Sequence, residues 1–209
     1  MTPEELAARH PCLYHITAPG AGESIKQKGL LSTSCILDLY NIQGASRVNI
    51  ELHRRPSEIT LEHAQYGRIV INDNIPLTES ALAKCLEDDL TPSDWLRLLN
   101  ARVFFWASKQ SLERHLNARL NCNRQREVIV VDTLSLAKAH AERMELSPIN
   151  SGATLRKAAR RGLKTFTPLL QYTLDEWRKL RGGRDDIREI TVRNSVKDIT
   201  NYIITIYTT

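Results

Sequence analysis

No stretch of the 209 residues approaches the ~18 uninterrupted apolar positions of a membrane-crossing helix. The opening MTPEELAARHPC also lacks the basic-then-apolar order of an export signal. A cytoplasmic protein with no membrane partner is therefore expected. The four cysteines, at 12, 35, 85 and 122, are too widely spaced for a zinc or redox pair. They are expected to be small, reduced core residues, with no metal and no cysteine nucleophile. The chain carries no Walker loop, no GxGxxG, no HExxH and no GxSxG, so the usual phosphate, zinc and acyl-transfer sites are unsupported. Internal repeats of 20–50 residues and low-complexity linkers are missing as well. Charge of one sign is scarce: 29 Lys+Arg stand against 24 Asp+Glu, a net +5 that permits a polyanionic partner without requiring one.

What is present is ordinary for a folded domain: 42% hydrophobic and 25% charged residues, in a length that suits a single domain over 1–209. Thr2, Pro3 and Glu5 spell a capped helix over Pro3 to Arg9. Leu13 to Thr17 alternates like a strand, placing Leu13, His15 and Thr17 on one face. A short helix over Glu23 to Lys28 stops at Gly29, and Ser34 to Tyr40 starts another. Glu58 to Leu61 and Gly67 to Ile71 are extended, and Asn72-Asp73-Asn74 turns. Ala81 to Glu87, Ser93 to Leu99, Leu112 to Leu120 and Leu134 to Arg143 read as helices. Val103 to Trp106, Glu127 to Asp132, Ile187 to Val192 and Tyr202 to Tyr207 read as strands. Short strands interleaved with helices, without strict βαβ alternation, indicate an α+β domain.

The residues able to carry chemistry are dispersed. Tyr14-His15-Ile16-Thr17, then a helix, then Gly29-Leu30-Leu31-Ser32 resembles the opening of the ADP-ribosyltransferase fold. It is most similar to the DarT-like nucleic-acid ADP-ribosyltransferases and more distantly to RNA 2'-phosphotransferases. Arg54-Arg55, followed by Gly67 and the run Asn72 to Leu77, resembles the double-Arg segment and the element after it in DarT. Glu189-Ile190-Thr191-Val192 resembles the late strand that carries the transferase glutamate. The whole chain also resembles an uncharacterised bacterial family with Leu-Tyr-His, Arg-Val-Phe-Phe-Trp and Ser-Pro-Ile-Asn-Ser-Gly, a match that supplies no activity.

The resemblance implies a split β-sandwich core with surrounding helices and an NAD-dependent transferase of the glycosyltransferase class, toxin-like, with NAD as substrate. Glu189, Arg55 and His15 would be catalytic; Tyr14, His15, Thr17, Ser32, Arg54 and Arg55 would hold the dinucleotide. His15 would bond the adenosine-side ribose. Glu189 would bond the nicotinamide-side ribose and favour its developing charge, or act as base on the nucleophile. A guanidinium at 54 or 55 would neutralise the pyrophosphate or place the substrate. The tyrosines of the DarT element are missing after Pro76, so stacking would fall to Phe105 or Trp106.

Other readings of the same residues stay open: a merely hydrogen-bonded His15, an exposed Glu189 facing Arg188 or Arg193, and a solvated Arg54-Arg55 turn before Pro56. Phe105 and Trp106 are open to reading as plain core.

The charge excess is local. Arg156, Lys157, Arg160, Arg161 and Lys164 have no acid among them, and the other 24 cations balance the 24 acids. In a helix, Lys157, Arg160, Arg161 and Lys164 would share one face, either solvated or set against DNA or RNA. Asp175 to Asp186 is expected to cover a substrate-recognition loop around Gly182-Gly183. Three rivals share these features: RNA 2'-phosphotransfer, ADP-ribosylation of a protein, and non-catalytic nucleic-acid binding.

Overall fold

The first element follows from its cap. Thr2 Oγ1 accepts from the Glu5 amide, and Glu5 accepts from the Thr2 amide, a reciprocal box that opens α1 (Pro3–Arg9). The protein is described here by a computed structural model covering residues 1–155, 158–183 and 187–209. In chain order there follow β1 (Cys12–Thr17), α2 (Ala21–Lys28), β2 (Leu30–Leu31), α3 (Thr33–Leu39), α4 (Gly44–Glu51), β3 (Ile59–His63) and β4 (Gly67–Ile71). Next come α5 (Glu79–Ala83), α6 (Pro92–Asn100), β5 (Arg102–Trp106), α7 (Lys109–Leu116), β6 (Glu127–Asp132) and α8 (Thr133–His140). The chain closes with β7 (Met144–Ser147), β8 (Thr167–Pro168), α9 (Leu174–Leu180), β9 (Glu189–Arg193), β10 (Ser195–Val196) and β11 (Ile203–Thr208).

Seven strands form one sheet in the order β11-β6-β1-β5-β9-β7-β8, with every neighbouring pair antiparallel. The fold is thus a mixed one, a large antiparallel sheet surrounded by helices. Period-two alternation sorts the side chains. Leu13, Val103, Phe105, Ile129 and Ile190 enter the main core with Leu6 of α1 and Leu136 of α8. The other face carries two smaller clusters, Leu112 of α7 on Val128 and Val130, and Trp95 and Leu96 of α6 against Phe166. The β3–β4 hairpin builds a separate cluster with α3 and α4 around Ile36, Leu37, Tyr40, Ile50 and Ile71. Each such fully buried aliphatic contributes roughly 1.5–3 kcal/mol of transfer free energy. Among the described residues no helix is long and apolar enough to cross a membrane, and all four cysteines are free thiols.

One seam in the sheet is loose. β1 runs beside β6 through six register positions and β5 beside β9 through five, but β1 and β5 share one, Tyr14 opposite Trp106. Beyond it the His15 ring bonds the Phe104 carbonyl (Nδ1 to O, 2.9 Å).

Several expectations need correcting. The stretch 156–164 is not one helix: Ala158 to Arg160 is irregular, Arg161 makes an isolated bridge to Leu86, and Leu163–Thr165 is a 3-10 turn. Arg156 and Lys157 lie outside the described residues. The physical reason is tertiary: Arg161 N donates to Cys85 O at 2.9 Å and Glu87 N donates to Arg161 O at 2.9 Å, which competes with the helical bonds. The loop expected over Asp175 to Asp186 is confined to its second half: residues 175–180 belong to α9, and 181–183 form a turn at Gly182-Gly183. Thr173 and Glu176 form a capping box that starts α9, and residues 184–186 lie outside the described set. Helix α4 and strand β7 had no counterpart in the sequence reading. Ala81 to Glu87 is shorter than expected, since the helix there ends at Ala83.

Gly29 ends α2 at φ +83°, and a Cβ built there would stand 2.4 Å from Lys197 Cα. Gly29→Ala therefore meets both a left-handed backbone and a main-chain collision. It should destabilise the fold by about 3 kcal/mol, a Tm loss of roughly 6–12 °C by thermal denaturation. An unchanged Tm would mean that the 29–197 approach is not as close as described.

Candidate functional site

The loose seam opens into a cleft of ≈ 720 Å³, within the range of ligand sites. Its walls come from both sides of the gap and from α2, β2, α3 and the β3–β4 hairpin. His15, Thr17, Ser32, Arg55 and Glu189 all line it, although the sequence scatters them. Tyr14 and Arg54 do not. Alternation turns Tyr14 to the opposite face, against Val130 and α7. Arg54 spends its guanidinium on the Leu77 and Ile75 carbonyls, at 2.6 and 3.1 Å.

Glu189 is set by strand register. It lies opposite Trp106 on one side and Ser147 on the other, on the central strand of its half of the sheet. The side chain is neither exposed nor paired with Arg188 or Arg193: the residue is 6% exposed. Its Oε2 accepts from Ser151 N (3.0 Å) and Ser151 Oγ (2.6 Å). Oε1 has no partner among the described residues. Burial pushes the carboxyl pKa up to about 7, while the Ser151 bonds and the charge of Arg161 pull the other way.

His15 has a defined tautomer. A carbonyl only accepts, so Nδ1 must carry the proton it donates to Phe104 O, leaving Nε2 as an acceptor. Burial lowers the pKa of this histidine, which keeps the ring neutral. Phe105 packs edge-on at 5.9 Å and fixes its plane. Arg55 is 8% exposed. It donates to Asn72 O (3.0 Å), Ile50 O (2.6 Å) and Asn100 Oδ1 (3.0 Å), so it clamps α4, α6 and the turn after β4. Burial lowers its pKa to about 10, still charged at neutral pH, and its Nη2 has no partner among the described residues. Thr17 is buried, and Ser32 Oγ caps α3 by accepting from Cys35 N at 3.3 Å.

Some cleft residues were missed. Arg124 binds Asp73 at 2.6 Å, and Arg126 reaches both Glu58 and Asp73, tying the hairpin to the start of β6. Arg68, on β4, is exposed and without a partner among the described residues. Trp106 is half-buried and leans on His115 at 5.1 Å, whereas Phe105 belongs to the core. In all, the wall holds six cations (Lys28, Arg55, Arg68, Arg102, Arg124, Arg126) against three carboxylates (Glu58, Asp73, Glu189), which favours an anionic ligand. Ser151 was visible in the Ser-Pro-Ile-Asn-Ser-Gly loop, but nothing local aims it at residue 189.

None of the described residues of the basic stretch lines the cleft. Arg160 is exposed and pairs with Glu87, Lys164 is exposed, and Arg161 is buried. Lys157 lies outside the described residues. No cluster of three or more His, Cys, Asp or Glu able to hold a metal occurs among the described residues.

In comparisons with known proteins, residues 11–203 match the model of a family of unknown function, DUF7002. No curated protein matches the chain.

The raised pKa of Glu189 has a signed consequence for stability. The folded state binds this proton more tightly than the unfolded chain, so the contribution is fully present below about pH 4.5 and lost as pH rises through about 7. Glu189→Gln, which cannot ionise, should gain up to about 3 kcal/mol relative to wild type between pH 4.5 and 8. Urea unfolding of both proteins across that range checks it; parallel curves would exclude a proton held at Glu189.

Proposed function

The chain belongs to the DUF7002 family, and we propose that it is an NAD-dependent ADP-ribosyltransferase that modifies a nucleic acid and releases nicotinamide. The reading rests chiefly on one observation: His15, Thr17, Ser32, Arg55 and Glu189, each matched to a motif of the ADP-ribosyltransferases, line one cleft with a surplus of cations. A split β-sandwich is the architecture that goes with this reading, and the single register position shared by β1 and β5 within the seven-stranded sheet supports it.

In this chemistry the bond between nicotinamide and ribose C1' breaks, nicotinamide leaves with the electron pair, and an acceptor nitrogen or oxygen bonds C1'. Ionised Glu189 stabilises positive charge developing at the ribose and takes the acceptor's proton through Oε1. Neutral His15 accepts a ribose hydroxyl at Nε2, and the free Nη2 of Arg55 meets the pyrophosphate. The basic wall attracts both NAD and a nucleic-acid acceptor.

Incubation with labelled NAD and separate pools of DNA, RNA and protein tests this. Label should enter a nucleic-acid pool, and Glu189→Gln should lower transfer by about 10²-fold or more. The wild-type rate should rise with pH through about 7, as the carboxyl ionises. Full transfer by the variant would remove Glu189 from the chemistry. A cyclic ADP-ribose phosphate from RNA bearing a 2'-phosphate would mark phosphotransfer instead, and nucleic-acid binding without nicotinamide release a binding module.

A further inference from the structure

The segment that sequence patterning assigned to nucleic acid has another task in the fold. Arg161 is 1% exposed and makes no ion pair among the described residues. Its Nη1 donates to Ser151 O at 2.8 Å, Nη2 to Ala153 O at 3.0 Å and Nε to Ala159 O at 3.0 Å. The guanidinium lies 5.9 Å from the Trp95 ring, and Trp95 Nε1 donates to the same Ser151 carbonyl at 3.3 Å. The main chain of Arg161 is pinned on both sides, to Cys85 O and Glu87 N. Taking a guanidinium this far from water without an ion-pair partner is costly, and three carbonyl bonds offset only part of that cost. If holding the loop were its only task, an uncharged donor would do so at lower cost.

Ser151 is the middle of a chain of contacts. Its carbonyl is held by Arg161 and Trp95, while its amide and hydroxyl both donate to Glu189 Oε2. A single oxygen held from two directions cannot rotate away, and Oε1 of this cleft-lining residue is left without a partner among the described residues. We propose that Arg161 and Ser151 are positioning residues for Glu189: Arg161 fixes Ser151 through its carbonyl, and Ser151 fixes the carboxyl in one orientation. The inference rests on the reading of Glu189 as the reacting carboxyl.

The charged groups facing Glu189 limit what else could act on it. Arg161 approaches from the 158–162 segment, and its charge favours the carboxylate. Arg102 of β5 and Glu145 of β7 share the sheet face but neutralise each other through a bidentate pair at 2.7 and 3.2 Å. His15 of β1, across the cleft, is neutral.

Carbon-13 NMR titration of the glutamate carboxyls, with the Glu189 signal assigned by its loss in Glu189→Gln, reads the contact directly. Ser151→Ala and Arg161→Lys should each raise the Glu189 midpoint by about one pH unit, a tenfold change in proton affinity. In labelled-NAD assays both should lower kcat about tenfold or more with little change in KM, and the pH profile of kcat should move with the NMR midpoint. Circular dichroism and thermal unfolding confirm that the variants fold; if Arg161→Lys does not, Ser151→Ala, which removes one hydroxyl, decides the matter. Folded variants with an unmoved midpoint overturn the proposal, even where the wild type transfers ADP-ribose. Shifted midpoints in a wild type that transfers nothing uphold the contact chain and reject the transferase reading instead.

Discussion

A buried carboxyl held by one serine is the constraint around which this structure is arranged. Glu189 lies on a strand flanked by β5 and β7, and its Oε2 takes both of its bonds from Ser151. Removing a carboxyl from water is unfavourable, and here the penalty appears as a pKa raised to about 7. The loop after β7, the Arg161 anchor and the Trp95 indole all converge on that serine. The placement of α6 and of the 158–162 segment is therefore tied to one oxygen atom in the cleft.

The second constraint is the seam between β1 and β5. With one register position the strands stay joined near Tyr14 and Trp106, and the His15 imidazole takes up a carbonyl beyond it. The same bond fixes the histidine tautomer, so one ring nitrogen serves the fold and the opposite one is left as an acceptor. Arg55 is similar: its three bonds join α4, α6 and the turn after β4, and one guanidinium nitrogen is without a partner among the described residues.

Much of the element pattern was legible in the sequence. Caps such as Thr2 with Glu5, alternation from Leu13 to Thr17 and the apolar run of β6 are local signals, and the elements formed where they stood. The failures have one cause in common. Arg161 was assigned to a helical face because its neighbours are basic, but its backbone pairs with residues 85–87 and its side chain is buried. Tyr14 was grouped with His15 by adjacency, whereas successive strand residues face opposite sides. Arg68 and the Asp73–Arg124–Arg126–Glu58 network went unread because no local spacing links them.

By itself the sequence determined most of the element classes, the α+β character and a short set of polar residues with chemical potential, because those depend on periodicity, capping and residue type. Only the tertiary structure decided which of them meet. Register puts Glu189 opposite Trp106 and Ser147, an incomplete ladder borders the cleft, and a loop returning over β9 delivers Ser151. Those outcomes depend on contacts between residues far apart in the chain, where burial and hydrogen-bond satisfaction outweigh local preference.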